Sequence, residues 1–431
     1  MKIVVIGAGH IGLVTALSLA HYSHEVLCVD VDQKKINSLS EARTDIYEPQ
    51  LAEFLKCKVI QNKIRFSCDY SVAIHFSNIV FVAVGTPSDE HGCCDLSFLE
   101  SALYQLQQKS VSKKTIIIKS TVPPGTIRKF QSVYPQFDFV SSPEFLREGQ
   151  ALQDALNPER VIAGSYSKSA VELVRSIYLP FLKNDSDFIE MDPTSSELTK
   201  YAANSFLAAR ISLINEFSKL CEKLGANIES VAAGLAKDSR IGPLFLKAGI
   251  GYGGSCFPKD IDALLNFASL QNEEMKIMRA VKSVNDQQVE AFTQKIIGAF
   301  RNSGKKSLAI WGGAFKPDTN DIREAPALKI IDQLLCHDFD LKFYDPFANS
   351  NVGLHFQEHS KAAKLQMMTD KMSTIEDSHA LIVLTEWSDF IETDLKDVKS
   401  KLIDFKIFDG RNIFSEQRHQ HSDLDYTGVG L

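Results

Sequence analysis

The chain has 431 residues, 44% hydrophobic and 23% charged, with a formal net charge of −7. That length exceeds what one hydrophobic core supports, so two or three domains are expected, each with enough apolar surface to fold. The negative balance and the lack of a long Lys/Arg run argue against a nucleic-acid partner.

The eight cysteines show no C-x-x-C or zinc-ligand spacing. They read as reduced thiols of a cytoplasmic protein with no metal site, the adjacent Cys93 and Cys94 included. Residues 3–20 are apolar enough to resemble a secretory leader or a short membrane span. Gly7, Gly9, His10 and Gly12 interrupt that run where a strand, a turn and a helix need them, so no export and no membrane partner are expected.

Residues 2–6 read as a strand, 11–21 as a helix and 25–30 as the next strand, a βαβ unit. Strand patterns at 78–84, 114–119, 137–140 and 161–163, with helical patterns between them, predict a doubly wound parallel sheet. One long helix is predicted over 195–224, opened by a capping box between Thr194 and Glu197 and closed by Gly225. Shorter helices are predicted at 228–236, 260–269 and 273–297. Strands at 307–311, 341–345, 380–385 and 406–409 then predict a second, smaller nucleotide-type fold, with 415–431 the one candidate for a disordered tail. The fold class is α/β: two Rossmann-like doubly wound domains joined by a long central helix, divided as 1–192, 193–300 and 301–431.

Gly7, Gly9 and Gly12 form G-x-G-x-x-G between the first strand and helix, where bare backbone, with Ile11 beside it, lets a pyrophosphate approach the helix N-terminus. Asp30 ends the next strand at the ~20-residue interval where an acid accepts the ribose 2′-hydroxyl; a carboxylate there repels a 2′-phosphate, which selects NAD over NADP. Asp32 is the reserve acid, and Lys35 is placed to reach the adenosine end. Thr86 and Thr121 stand at later strand ends, which line the ligand crevice of such sheets.

The segment Gly249-Ile250-Gly251-Tyr252-Gly253-Gly254-Ser255-Cys256-Phe257-Pro258-Lys259-Asp260 is a glycine-rich loop entering a helix, with Pro258 in the first turn. Cys256 is therefore expected at a helix N-terminus, where orphan amides and Lys259 favour the thiolate. Four glycines within 249–254 are costly in a packed core and suit a loop wrapped around a ligand. On the long helix Lys200 and Asn204 share a face, with Asn215 three turns on.

Six ordered motifs resemble those of the nucleotide-sugar 6-dehydrogenases, the UDP-glucose/GDP-mannose dehydrogenase family. They are Gly85-Thr86-Pro87, Ser120-Thr121-Val122-Pro123-Pro124-Gly125-Thr126, Ser142-Pro143-Glu144-Phe145-Leu146-Arg147-Glu148-Gly149, Lys200-Tyr201-Ala202-Ala203-Asn204, the Cys256 loop, and Phe315-Lys316-Pro317 followed by Arg323. The resemblance covers nearly the whole chain. It implies an NAD-dependent, four-electron oxidation of the C6 alcohol of UDP-glucose to the carboxylate of UDP-glucuronate, through a thiohemiacetal and a thioester on Cys256. It further implies that Lys200 stabilises oxyanions with Asn204 as hydrogen-bonding partner, and that Asp260 is the base orienting water. Thr121, Glu144 and Glu148 would complete the polar surroundings, one of the two carboxylates assisting hydrolysis.

The same resemblance assigns substrate contacts to Glu144, Phe145, Leu146, Arg147 and Glu148, to Phe245, Leu246, Lys247, Ala248 and Gly249, and to Lys200, Asn204, Gly253 and Lys316. Arg240 resembles an arginine presented to the neighbouring subunit's substrate, which implies a homodimer or larger. Thr86, Thr121, Glu148, Lys259 and Arg323 are expected on the NAD side. The wording of the 145–149 and 252–260 motifs favours UDP-glucose over UDP-N-acetylhexosamines or GDP-mannose. His10 departs from the hydrophobic residue frequent at its place, Asn320 and Ala325 replace an acid and a serine frequent near Arg323, and 91–94 is unusual. A two-electron β-hydroxyacid dehydrogenase would have no use for Cys256 or a C-terminal nucleotide fold, and a non-catalytic NAD sensor would leave Lys200, Cys256 and Asp260 unexplained.

Overall fold

The apolar run at the start of the chain divides at its glycines into strand β1 (Lys2–Ile6), a turn, and the helix His10–His21, after which β2 (Glu25–Val29) pairs with β1 in parallel. A computed structural model describes residues 1–89, 92–109, 112–301, 303–304 and 307–431. It resolves into two compact units: Met1–Ala203 with Asp262–Gln271, and Asn204–Ile261 with Asn272–Leu431. His91, one of the unusual residues after Thr86, lies outside the described residues. Among the described residues no disulfide joins Cys93 and Cys94 or any of the other cysteines.

In the first unit β3 (Ile64–Ser67), β4 (Ile79–Val82), β5 (Lys114–Ile118), β6 (Phe137–Ser141), β7 (Val161–Gly164) and β8 (Phe188–Met191) complete an eight-stranded sheet of order β3-β2-β1-β4-β5-β6-β7-β8. Its central strands are buried on both faces, so helices must cover both. The strand order reverses between β1 and β4, which opens a crevice at their carboxyl ends. The sheet is parallel as predicted except at one pairing, where β7 runs antiparallel to β6 through Ser141 and Gly164. The connection between them carries the 144–149 loop and the short helix Ala151–Leu156, not a helix running back along the sheet.

The long helix spans Pro193–Leu224. Its expected capping box is absent. Asp192 caps the helix instead, accepting the Ser195 amide at 3.0 Å, while Glu197 reaches out to the amides of Gly125 (2.5 Å) and Ile127 (2.7 Å) at the start of the helix Thr126–Val133. Glu197 thus supplies a neighbouring helix whose own first residues lack a side-chain cap. At the far end Gly225 takes φ +69° and the Ala226 amide donates to the Cys221 carbonyl, closing the helix as predicted.

In the second unit β9 (Ser307–Trp311), β10 (Asp340–Tyr344), β11 (Leu365–Met367), β12 (Ala380–Val383), β13 (Lys406–Asp409) and β14 (Asp425–Thr427) form a parallel sheet of order β11-β10-β9-β12-β13-β14. The tail is ordered, contrary to expectation. Residues 425–427 add a strand, and the Gly430 amide donates to Glu222 (2.8 Å) while its carbonyl accepts the Ile228 amide (2.9 Å). No helix among the described residues is long and apolar enough to cross a membrane.

Candidate functional site

The glycine turn after β1 is shaped from within. Gly7 has φ +97°, and a Cβ there would stand 2.5 Å from the Ala83 carbonyl oxygen; a Cβ on Gly12 would overlap the Gly7 carbonyl. Gly9, the N-cap of the helix, differs: a Cβ on it meets no other atom within 4 Å. Its bare backbone is not required by packing, and it fits a group that approaches the helix N-terminus from outside, as a pyrophosphate does. Ile11 is partly exposed beside it. Asp30 accepts the Ala8 amide at 2.7 Å and lies 3.6 Å from Lys35 Nζ, which joins strand end, glycine turn and lysine in one cluster. Asp32, the reserve acid, is instead the N-cap of the helix Gln33–Ser40, accepting the amides of Lys34 and Lys35. Thr86 donates to the Thr121 carbonyl at 2.9 Å, which ties together the ends of β4 and β5. These residues would hold NAD through backbone amides and the Asp30 carboxylate.

In the same unit, Lys200 and Glu144 form a buried ion pair at 2.9 Å, and Glu144 also accepts the Leu146 amide at 2.6 Å. Burial opposes ionisation of Glu144, but Lys200 and that amide outweigh it, so its carboxyl is held below the usual range. The Lys200 ammonium stands over the Phe145 ring at 5.5 Å. Lys119, which motif reading passed over, is buried near this pair and donates to the Pro143 carbonyl. Burial pushes it down to about 8, with Glu144 opposing the shift and Lys200 adding to it. Its signal was a lysine closing an isoleucine strand. Arg147 turns outward to Asp154 at 2.6 Å and is not drawn into this cluster.

In the second unit, Cys256 is the residue before the helix Phe257–Leu270, and its carbonyl accepts the Asp260 amide at 2.9 Å. It is partly exposed, with its sulfur 3.6 Å from Ser255 Oγ. Lys259, expected beside the sulfur, donates to Asp260 at 2.8 Å, and the other oxygen of Asp260 accepts from Asn204 at 2.6 Å. Cys256, Lys259, Asp260 and Asn204 therefore gather at one helix start. Lys200 lies one turn from Asn204 on the long helix.

The loop before Cys256 is pinned peptide by peptide. Asn215 accepts the Gly249 amide (2.9 Å), Gln288 donates to its carbonyl (2.9 Å), and Asn285 bonds both the amide (2.9 Å) and carbonyl (3.1 Å) of Tyr252. Arg411 donates to the Gly251 carbonyl, and the Gly254 amide donates to the Arg323 carbonyl. A Cβ on Gly254 would strike the Phe315 ring at 2.7 Å, and one on Gly253 would overlap the Glu324 carbonyl. These glycines therefore also answer a packing demand of the chain itself, which the sequence reading had not assigned to them. Asn285 and Gln288 were missed; their signal was two amides one turn apart on an apolar helix face.

Phe245 packs near Phe257, with ring centroids 6.4 Å apart; Leu246 and Ala248 are buried, and Lys247 is exposed. Lys316 lies over the Phe315 ring at 5.7 Å. Arg323 projects outward, 66% exposed, and pairs with Asp321. Arg240, 86% exposed, pairs with Asp238 and points away from the unit. On the long helix Phe206, Leu213, Phe217, Leu220 and Leu224 are all exposed and fall on one narrow stripe, spaced seven, four, three and four residues apart.

Three family models match in order: the UDP-glucose/GDP-mannose dehydrogenase family NAD-binding domain over 1–182, central domain over 194–287 and UDP-binding domain over 309–416. The chain is 39% identical to the UDP-glucose 6-dehydrogenase TuaD of Bacillus subtilis, covering all of this chain and 93% of that one. It is 36% identical to a UDP-glucose 6-dehydrogenase of Pseudomonas aeruginosa, covering 100% and 97%. Among solved structures, a UDP-glucose dehydrogenase from Pyrobaculum islandicum superposes with TM-score 0.90 at 30% identity, covering 100% of this chain and 97% of that one.

Proposed function

The chain belongs to the UDP-glucose/GDP-mannose dehydrogenase family, and from that premise we propose that it oxidises the C6 alcohol of UDP-glucose to the carboxylate of UDP-glucuronate at the expense of two NAD per sugar. The activity is that of an NAD-dependent UDP-glucose 6-dehydrogenase. NAD, when bound, accepts one hydride in each of the two oxidations. The observation that carries the mechanism is Cys256 at the mouth of the helix Phe257–Leu270, partly exposed, with Lys259 and Asp260 in the first turn.

The chemistry requires a nucleophile because an aldehyde lacks a good hydride to give. After the first oxidation the Cys256 sulfur adds to the C6 aldehyde, and the thiohemiacetal then loses the second hydride. Water cleaves the resulting thioester, releasing the carboxylate and the thiol. In this reading Lys200, held by Glu144, stabilises the oxyanion at C6, Asn204 donates a hydrogen bond, and Asp260 orients the water. Glu144 or Glu148 assists hydrolysis, and Thr121 completes the polar lining. Gly7, Gly9, Ile11, Gly12, Asp30, Lys35, Thr86, Lys259 and Arg323 hold NAD, while the 144–148 and 245–249 segments, Gly253 and Lys316 hold the UDP-sugar.

The apolar stripe on the long helix supports a homodimer, with Arg240 offered to the partner's substrate. The free thiols fit work in the cytoplasm. Residues 1–192, 193–300 and 301–431 act as cofactor, central and UDP-sugar parts. NADH counted against limiting UDP-glucose tests the reaction: two per sugar is expected, one would replace it with a simple alcohol oxidation, and none would remove the dehydrogenase reading. The Cys256→Ser variant is expected to bind UDP-glucose and NAD yet lose nearly all acid production; unchanged acid production would defeat the thioester route.

A further inference from the structure

His10 opens the helix His10–His21, directly after Gly9, and its ring is held between two carboxylates. Nε2 lies 2.8 Å from Glu48 Oε2, and Nδ1 lies 3.8 Å from Glu148 Oε1. Glu48 is itself buried, and its oxygens accept the amides of Gly149 (2.8 Å) and Ala151 (2.7 Å). A continuous chain of polar contacts therefore runs from the backbone of the 144–149 loop through Glu48 to His10, and from His10 back to Glu148 on that loop. It ties the loop to the glycine turn.

A helix N-terminus attracts anions, and carboxylates beside it compete with an incoming pyrophosphate for the same positive potential. Glu48 and Glu148 are such competitors unless a cation stands between them and the turn. We propose that His10 is a positioning residue for the dinucleotide: its ring fixes Glu148 against the glycine turn and offsets one of the two carboxylate charges where the pyrophosphate docks. Burial opposes charge on the ring, but the Glu148 and Glu48 carboxylates beside it outweigh burial and raise His10 to about 9, so the imidazolium persists at neutral pH. Those two carboxylates are the titratable groups whose charge reaches the ring. The proposal rests on the NAD reading of the turn; NAD binding by the unaltered protein tests that reading, and the comparison with variants tests this one.

The measurements are an NMR titration of the His10 imidazole, assigned by difference against His10→Gln, and calorimetric NAD binding between pH 7 and pH 10. The ring is expected to titrate near 9 in the unaltered chain and lower in Glu148→Gln. NAD affinity of the unaltered protein should fall roughly tenfold through that titration, the scale of losing one nearby partly screened charge. His10→Gln and His10→Phe should bind roughly tenfold more weakly at pH 7.5 and show no further fall on raising pH. An imidazole titrating near 6.5 would overturn the proposal, as would variants that keep the original affinity and pH slope. The titration of the unaltered chain decides even where a variant folds poorly.

Discussion

Replacing Gly9 by alanine separates a glycine kept for a ligand from glycines kept for the fold. Gly9 sits at φ −72° and ψ −175°, a conformation any residue adopts, and an added Cβ meets no other atom within 4 Å. As an N-cap, glycine to alanine costs about 0.5–1 kcal/mol. Stiffening the unfolded chain returns about 0.4–1 kcal/mol. The net is close to zero, and at about 2–4 °C per kcal/mol for a unit of this size the melting temperature should move by no more than about 3 °C. Gly12→Ala places its Cβ inside the Gly7 carbonyl, so backbone must shift, at a cost of about 3 kcal/mol or more. That predicts a drop of roughly 6–12 °C. In contrast, the methyl of Gly9→Ala occupies the space through which the pyrophosphate reaches the helix amides, and NAD affinity should fall at least about tenfold. Thermal unfolding and NAD calorimetry on both variants check this. A Gly9→Ala protein that binds NAD normally, or is destabilised as much as Gly12→Ala, would refute the assignment of the turn.

Glu144→Gln leaves Lys200 buried without its countercharge, and about 3 kcal/mol of stability should go with it; an unchanged denaturant midpoint would contradict the buried pair. Because Glu144 is held below its unfolded range, its contribution is present above the unfolded value and fades as pH falls through the folded one, so the variant should lose that part of the acid limb. Lys119 sits at about 8 when folded, against 10.5 unfolded, so between those values the unfolded chain binds more protons and stability should rise with pH. Lys119→Met should be more stable than the parent below pH 8 and lack that rise; a rise that persists assigns it to another group. Phe217→Glu, in the middle of the exposed stripe, should shift sedimentation toward the monomer, and an unchanged oligomer would place the interface elsewhere.

What could be read from sequence followed burial. Every strand identified by pattern lies inside its sheet, and the four that escaped, β3, β8, β11 and β14, are the four sheet edges. An edge strand buries fewer side chains: Phe188–Met191 has only its first residue buried, so no alternation remains to be seen. The direction of β7 was invisible for a different reason, since it is set by the path of the intervening loop and not by the strand's own residues. Of the residues that meet at the start of the helix Phe257–Leu270, Asn204, Cys256 and Asp260 all fall within motifs that the sequence marks. Glu48 was not legible, because it comes from an irregular segment with no periodicity to mark it, and reaches Gly149 and Ala151 only through the fold. The capping-box reading of Thr194 and Glu197 failed because a tertiary demand, two open amides at Gly125 and Ile127, outweighed the local pattern.

The two glycine-rich segments show how the same composition arises from opposite causes. In the turn after β1 one glycine faces open space, so packing does not account for its bare backbone and the proposed pyrophosphate contact would. In the loop before Cys256 the glycines face their own chain, at Phe315, Glu324 and Asn285, and side-chain amides of Asn215, Asn285 and Gln288 grip the peptides. A loop held at so many points is already ordered, so under the proposed thioester route seating the sulfur would require no further loss of backbone freedom when the sugar arrives. Loosening one grip should therefore act on turnover before it acts on substrate affinity. Asn285→Ala, which frees both ends of the Tyr252 peptide, is expected to lower kcat well beyond any rise in KM for UDP-glucose, and a variant changed in KM alone would show that the loop orders only on binding.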